Sequence, residues 1–128
     1  TLKNIKRNKK CTICIASAEF LEPLHKSSNT YEYNQSEVDE LNILMEKIDN
    51  EYPDIVKGVP VAFLCEFHSI VELDGKTIPT ILEIKKQYID ESVIDAKDEK
   101  FNISFEPLAR VARHYGVINE KINSPKML

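Results

Sequence analysis

The strongest pattern in the chain is a pair of apolar runs on either side of the dipeptide Asp74-Gly75. Asp-Gly between apolar runs is typical of a two-residue type I′ hairpin turn, because both turn positions need positive φ. The pattern therefore predicts a β-hairpin with strands at 59–73 and 76–88. Pro79 lacks a backbone N–H, which indicates that the second strand lies at a sheet edge near the turn.

The predicted turn also sets the register of the two strands. When Leu73 pairs with Lys76, apolar residues face each other along most of one side of the hairpin. We expect this apolar side to be the core face of the sheet. Its facing pairs are Val71 with Ile78, Phe67 with Leu82, Cys65 with Ile84, and Val61 with Tyr88.

Residues 36–52 predict an amphipathic helix. Ser36 is a good N-cap residue, and acidic side chains in the first turn complement the helix dipole. Apolar residues then recur at steps of three and four, and Pro53 ends the pattern. The predicted apolar stripe consists of Val38, Leu41, Leu44, Met45, Ile48 and Tyr52.

The remaining segments give weaker patterns. Residues 11–20 are rich in β-branched and small side chains and predict a strand, whereas the polar residues 25–35 predict a loop. Residues 101–105 alternate between apolar and polar side chains and predict a last strand. A second helix is predicted at 106–116, with a proline in its first turn and Gly116 at its C-terminal end.

These elements predict an α+β fold with one small antiparallel sheet. The sheet is built around the hairpin at 59–88 and is packed on one face by the two helices. A length of 128 residues, with 42% hydrophobic and 30% charged side chains, is ordinary for one globular domain. We therefore predict a basic N-terminal arm at 1–10, followed by a single domain at 11–128.

Charge and cysteine usage narrow the function classes. The chain carries 17 basic and 21 acidic side chains, so its net charge of −4 does not favour bulk attraction to a polyanion. The sequence has three cysteines, Cys11, Cys14 and Cys65, and no visible secretory leader. An odd number of cysteines in such a sequence indicates free thiols in the cytoplasm. No apolar run approaches the roughly 18 residues of a membrane span, so no membrane contact is expected.

The cysteines offer one candidate zinc site. The spacings of Cys11 with Cys14 and of Cys65 with His68 resemble those of zinc ligands. Both pairs lie in strand-like sequence, however, where side chains three residues apart point to opposite faces. Buried apolar thiols are therefore the favoured interpretation, and structural zinc is not.

The polar side of the predicted hairpin carries a candidate catalytic site. The register places Glu66 opposite Glu83, with Lys85 on the same face and His68 diagonal to the pair. Paired carboxylates can hold Mg²⁺ or Mn²⁺, and a lysine can stabilise the charge of phosphodiester hydrolysis. The residues Leu82-Glu83-Ile84-Lys85 resemble the E-x-K half of the PD-(D/E)xK nuclease motif. This resemblance implies Glu66 and Glu83 as metal ligands, His68 as an accessory ligand and Lys85 as a catalytic residue; the alternative is an ordinary solvated face.

Basic residues near both ends of the chain are candidates for contacts with phosphate groups or an acidic protein. Residues 108–122 resemble a helix-turn-helix, with Ala112 allowing close helix approach and Gly116 in the turn. The alternative is a single amphipathic helix that ends at Gly116. The candidate binding residues are Lys6, Arg7, Lys9 and Lys10 in the arm, and Arg110, Arg113 and Lys121 near the C-terminus.

The sequence contains no glycine-rich phosphate loop and no recognisable nucleophile motif. The leading hypothesis is therefore a small intracellular, non-catalytic binding or regulatory domain that needs no cofactor and acts on a protein or nucleic-acid partner. The alternative is the metal-dependent nuclease, which requires Mg²⁺ or Mn²⁺. A homodimer formed through a sheet edge fits the first hypothesis.

Overall fold

The computed structural model describes residues 1–32, 34–95, 103–120 and 122–126. Within these ranges the helices are short. They are α1 (Leu2–Asn8), α2 (Leu21–Lys26) and α3 (Glu37–Glu40), with 3₁₀ turns at Ala18–Phe20 and Glu91–Val93. None of the helices in the described part of the chain has the length and apolar character needed to cross a membrane.

Most of the regular structure is β-strand. A central antiparallel sheet has the order β1-β4-β5, and two separate ribbons pair β2 with β3 and β6 with β7. The longest pairing is between β4 and β5, where ten-residue strands meet. The strands are β1 (Lys10–Ile15), β2 (Met45–Glu46), β3 (Ile55–Val56), β4 (Val61–Ile70), β5 (Thr80–Ile89), β6 (Leu108–Val111) and β7 (His114–Val117).

The hairpin of β4 and β5 confirms the predicted pairing at its centre. Cys65 faces Ile84, Glu66 faces Glu83 and Phe67 faces Leu82. Register irregularities between Leu64 and Cys65 and between Phe67 and Ser69 shift the pairing by one residue on either side of this stretch. A one-residue shift moves side chains to the other face, so Tyr88 faces Ala62 and the predicted pair of Val61 with Tyr88 is wrong.

The predicted two-residue turn at Asp74-Gly75 is also wrong. Gly75 has a φ of 129°, but Asp74 does not adopt the positive φ that a type I′ turn requires. The strands end at Ile70 and resume at Thr80, and Val71 donates a hydrogen bond to the Pro79 carbonyl at 2.9 Å. Because Pro79 cannot donate in return, the ladder opens into a wide loop before the turn is reached.

The helix predicted at 36–52 is limited to the four residues of α3. Asn42 adopts a left-handed φ of 51°, which an asparagine tolerates but which ends the helix. The chain then forms β2, and the Leu44 carbonyl accepts a hydrogen bond from Lys57 N–H at 2.8 Å. Leu44, a member of the predicted apolar stripe, is 71% exposed.

The helix predicted at 106–116 does not form. The segment is instead the ribbon of β6 and β7, which turns at Ala112, where φ is 53°. Gly116 lies within β7 and pairs with Ala109, so it does not terminate a helix. The helix-turn-helix resemblance is wrong for the same reason. Of the last predicted strand, residues 101 and 102 lie outside the described ranges, and Ile103 forms only an isolated bridge with Ile94.

The predicted fold class is therefore wrong, since neither helix is present to pack on the sheet. The core cluster consists of Ile55, Val59 and Ala62, and Cys14 and Tyr88 pack against it. Ala62 is the strand partner of both Cys14 and Tyr88, so this cluster lies on their face of the sheet. Val61 and Cys65, on the predicted core face, are buried as well. The segment before β4, which contains Ile55 and Val59, packs against the face of Ala62, and no helix is needed to cover it.

Candidate functional site

The predicted carboxylate pair is present, with Glu66 of β4 facing Glu83 of β5. Lys85 donates from Nζ to Glu83 Oε1 at 3.0 Å, and the same nitrogen lies 4.0 Å from Glu66 Oε2. The hydrogen bond to Glu83 is the main reason that the pKa of Lys85 lies above its usual value. The lysine therefore neutralises the facing glutamates, which would otherwise repel each other.

Glu66 also contributes to a network that attaches the loop before β4 to the sheet. The buried Tyr52 donates its hydroxyl to Glu66 Oε1 at 3.4 Å, and the ammonium groups of Lys10 and Lys86 lie 4.8 and 5.7 Å from the Tyr52 ring centre. Lys86 donates to Asp49 Oδ2 at 2.7 Å, a bond that lowers the pKa of the Asp49 carboxyl. These contacts give the glutamate a structural role.

The predicted metal ligands do not form a metal site. His68 Nδ1 lies 2.8 Å from Ser69 Oγ, and the register irregularity falls at this histidine. Across the residues that the structure describes, no three His, Cys, Asp or Glu side chains are grouped so that they could hold a metal ion. Glu66, Glu83 and His68 are thus not brought together as a ligand set.

The basic residues predicted for binding are distributed over separate elements. Lys6 and Arg7 lie in the last turn of α1, and the Lys9 ammonium lies 5.0 Å from the Phe67 ring centre. Arg113 follows Ala112 at the tip of the β6–β7 ribbon, whereas Lys121 lies outside the described residues. Arg110 lies on β6 and contacts Tyr115 of β7, which in turn contacts His25 of α2.

We call Arg110, Tyr115 and His25 the C-terminal cluster. Arg110 donates from Nη1 to the Tyr115 hydroxyl at 2.8 Å, and its guanidinium carbon lies 4.7 Å from the Tyr115 ring centre. His25 Nδ1 lies 3.2 Å from the same hydroxyl, and its ring meets the Tyr115 ring edge to face. Arg110 and His25 are exposed and Tyr115 is half-buried, so a cation, an imidazole and a phenol converge at the surface.

Sequence reasoning selected Arg110 but missed His25 and Tyr115. The two missed residues are 90 positions apart, and they meet only because α2 packs beside the β6–β7 ribbon. A helix at 106–116 would also have directed Arg110 and Tyr115 differently, since residues five apart do not share a face of a helix. No local signal in the sequence could have identified the cluster.

A groove of about 900 Å³ lies beside α2 and α3. Its lining is mainly apolar, and its polar groups include Ser27, Lys26 and Lys57. Leu24 lines the groove and His25 belongs to the C-terminal cluster, so adjacent residues of α2 contribute to both features. The apolar lining residues include Phe20, Leu24, Val38, Leu41, Val56 and Val59.

No protein-family model matches the sequence, and no curated protein matches it either. Solved structures do match its fold. The 2-nitrobenzoate 2-nitroreductase NbaA of Pseudomonas fluorescens superposes with a TM-score of 0.83 at 18% identity, over 99% of this chain and 65% of the other. A protein from Shewanella frigidimarina, assigned as a flavin reductase with a split barrel domain, gives 0.82 at 17% identity, over 98% and 65%.

Flavoredoxin of Desulfovibrio vulgaris gives a TM-score of 0.74 at 18% identity, over 96% of this chain and 66% of the other. The chain thus spans about 65% of the length of these structures. At such identities the likeness establishes the fold, which is that of the split-barrel proteins. It replaces the predicted α+β sheet packed by two helices.

The neighbours also correct the predicted function. Their names describe reductases and flavoredoxins, and none describes a regulatory domain, a nucleic-acid-binding protein or a nuclease. The hypothesis of a non-catalytic regulatory domain and the alternative of a Mg²⁺- or Mn²⁺-dependent nuclease are both set aside on this ground. The expectation that no cofactor is needed is corrected by the same neighbours, two of which are named for flavin.

Proposed function

We propose that this chain forms a flavin-binding domain of an oxidoreductase. The observation that carries the proposal is the superposition of nearly the whole chain on proteins named as a nitroreductase, a flavin reductase and a flavoredoxin. Three free cysteines further support an intracellular, reducing location for the protein.

The groove beside α2 and α3 fits the ring system of a flavin. Small-molecule sites are commonly concave, mainly apolar and roughly 300–1,000 Å³ in volume, and the groove of about 900 Å³ has these properties. Because most of the lining is apolar, the groove offers apolar contact to a flat ring. Phe20 and Leu24 supply part of this apolar wall.

The C-terminal cluster fits the phosphate of a flavin nucleotide. A planar guanidinium donates several hydrogen bonds in a fixed arrangement that suits phosphate oxygens. Arg110 uses Nη1 for Tyr115 and Nε for the Ala112 carbonyl at 2.7 Å, and both bonds fix the direction of the guanidinium. Because α2 contributes to the groove and to the cluster, the two features are suited to opposite ends of one ligand.

When bound, a flavin would supply the ability to accept a hydride and pass its electrons on. The residues of the chain then have separate tasks. The groove excludes water from one side of the ring, Arg110 neutralises the phosphate, and Tyr115 is oriented by its bonds to Arg110 and His25. Lys26 and Lys57 line the groove together with the carboxylates of Glu22, Glu37 and Glu40.

Fluorescence titration with flavin mononucleotide and with riboflavin tests the proposal. We expect the 128-residue protein to quench both flavins saturably. Arg110→Gln should weaken flavin mononucleotide binding by roughly tenfold, since a charge-assisted hydrogen bond contributes about 1.5–3 kcal/mol. Riboflavin, which has no phosphate, should bind the variant as it binds the wild type.

Arg113→Gln is the matched control, because it removes an arginine from the same ribbon outside the cluster. It should leave both affinities unchanged. Absence of saturable binding of either flavin to the wild type would contradict the proposed function. If Arg110→Gln instead weakened the binding of both flavins equally, the assignment of the phosphate to the C-terminal cluster would be rejected. The proposal that the wild type binds a flavin would still stand.

A further inference from the structure

Two thiols lie directly opposite each other on neighbouring strands of the central sheet. Cys11 of β1 is the register partner of Cys65 of β4, so both side chains lie on the same face. Phe67 N–H donates to the Lys9 carbonyl at 2.8 Å. Since bonded pairs alternate along antiparallel strands, Cys11 and Cys65 also form a hydrogen-bonded pair, whose Cα atoms are typically about 5.5 Å apart.

That separation lies within the roughly 4.4–6.8 Å over which disulfides form. The two thiols are near enough for each to influence the pKa of the other. A disulfide between them would therefore need little movement of the backbone. The remaining thiol, Cys14, pairs with Ala62 and accepts a hydrogen bond from Val56 N–H at 3.4 Å, so it lies on the opposite face.

The two paired thiols differ in their access to solvent. Cys65 is fully buried, whereas Cys11 is half-buried and is the thiol that a small molecule can reach. Burial raises the pKa of both thiols, and the neighbouring Cys11 raises that of Cys65 further. Both groups are therefore stable as thiols in a reducing environment, and Cys11 is the one that reacts first when an oxidant is present.

We infer that Cys11 and Cys65 are a redox modification site that closes to a disulfide by exchange with a small-molecule disulfide. The Cys11 thiolate attacks one sulfur of the reagent, whose S–S bond breaks and releases one small thiol. Cys65 then loses its proton and attacks the Cys11 sulfur, which releases the second small thiol. Two protein thiols are oxidised, one small disulfide is reduced to two thiols, and β1 becomes covalently linked to β4.

Incubation of the 128-residue protein with glutathione disulfide, followed by alkylation and peptide mass spectrometry, tests this site. We expect a protein lighter by two hydrogen atoms, a Cys11–Cys65 cross-linked peptide, and alkylation of Cys14 alone. Dithiothreitol should restore alkylation of all three cysteines. The measurement needs no flavin, so it is independent of the proposed function.

The single variants provide matched controls. Cys14→Ala should form the cross-link as the wild type does, whereas Cys65→Ala should accumulate the mixed disulfide of glutathione on Cys11. Circular dichroism shows whether each variant is folded. A folded wild type that keeps Cys11 and Cys65 alkylatable, or that retains glutathione on Cys11 without closing, would overturn the inference.

Discussion

Ile55 contributes a side chain with no exposed surface to the core, although it lies in a short strand surrounded by polar and charged residues. It packs with Val59 and Ala62, and it belongs to the segment that precedes β4 and packs against the central sheet. Leu44, on the same segment, is 71% exposed. At the scale of single residues, stability therefore depends on position relative to the sheet and not on hydrophobicity alone.

We predict that Ile55→Ala lowers the free energy of unfolding by about 3 kcal/mol, because it removes buried methyl groups and leaves a cavity. Leu44→Ala, the matched control, should change it by less than about 0.5 kcal/mol. Urea denaturation followed by circular dichroism measures both values, and the slopes should agree. A cost for Leu44→Ala as large as that for Ile55→Ala would indicate that the helix predicted at 36–52 forms after all.

The central pairs of the hairpin were predicted correctly, but the predicted register came from a two-residue turn that does not form. Glu66 meets Glu83 because the irregularity between Phe67 and Ser69 returns the pairing to the predicted register. The register shift that pairs Tyr88 with Ala62 instead of Val61 could not be predicted from the sequence. A register irregularity has no distinct side-chain pattern, and one extra residue changes every pair beyond it.

At the scale of elements, the C-terminal ribbon shows why periodicity misled. Apolar residues between 106 and 116 fit helical spacing, but Val111 within this range and Val117 just after it are β-branched, and such residues are favoured in strands. Pairing of Leu108 with Val117 satisfies the backbone of both strands. A tertiary contact also favours the strand. Leu108 N–H donates to the carbonyl of Ala16, the residue that follows β1, at 2.9 Å.

Ala112 gives a direct test of the ribbon. Its φ of 53° is unfavourable for alanine by about 1–2 kcal/mol and costs glycine little. Ala112→Gly should therefore raise the free energy of unfolding by about 0.5 kcal/mol once the entropy of the more flexible unfolded chain is subtracted. Thermal or urea unfolding measures the change.

Ala109→Gly serves as the control, because the same substitution is made within β6, where φ is not positive. It should lower the free energy of unfolding by about 0.5–1 kcal/mol. In a helix, both substitutions would be destabilising by about 1 kcal/mol. Destabilisation of similar size by both variants would therefore contradict the ribbon and support the predicted helix.

At the scale of the whole molecule, the candidate site could not be predicted from the sequence. The groove combines α2, α3 and the loop before β4, and the C-terminal cluster joins α2 to β6 and β7. Each contribution is a short stretch without a motif, and its chemistry arises only when distant segments meet. The expectation of a flavin accordingly rests on the fold as a whole and on no single residue or motif.

β5 is an edge strand of the central sheet, and its outer side is a candidate surface for the association of two copies of the chain. In the described part of the chain β5 has β4 on one side and no strand on the other. Asp90 N–H donates to the Pro60 carbonyl at 2.9 Å, so the alternation of an antiparallel ladder directs the N–H of Gln87 away from β4. Ile84, on the same strand, is 51% exposed. An unpaired edge of this kind is a template for a strand of a second copy.

We therefore predict a homodimer that pairs β5 with β5 of a second copy. Sedimentation velocity over a range of protein concentrations should show twice the monomer mass at the highest concentrations. Gln87→Pro removes the outward N–H while an edge strand still tolerates proline, so it should yield a monomer with an unchanged circular dichroism spectrum. Gln87→Thr keeps the N–H and should remain dimeric. A wild type that stays monomeric, or a Gln87→Pro variant that dimerises equally well, would show that copies of this chain do not associate through the β5 edge.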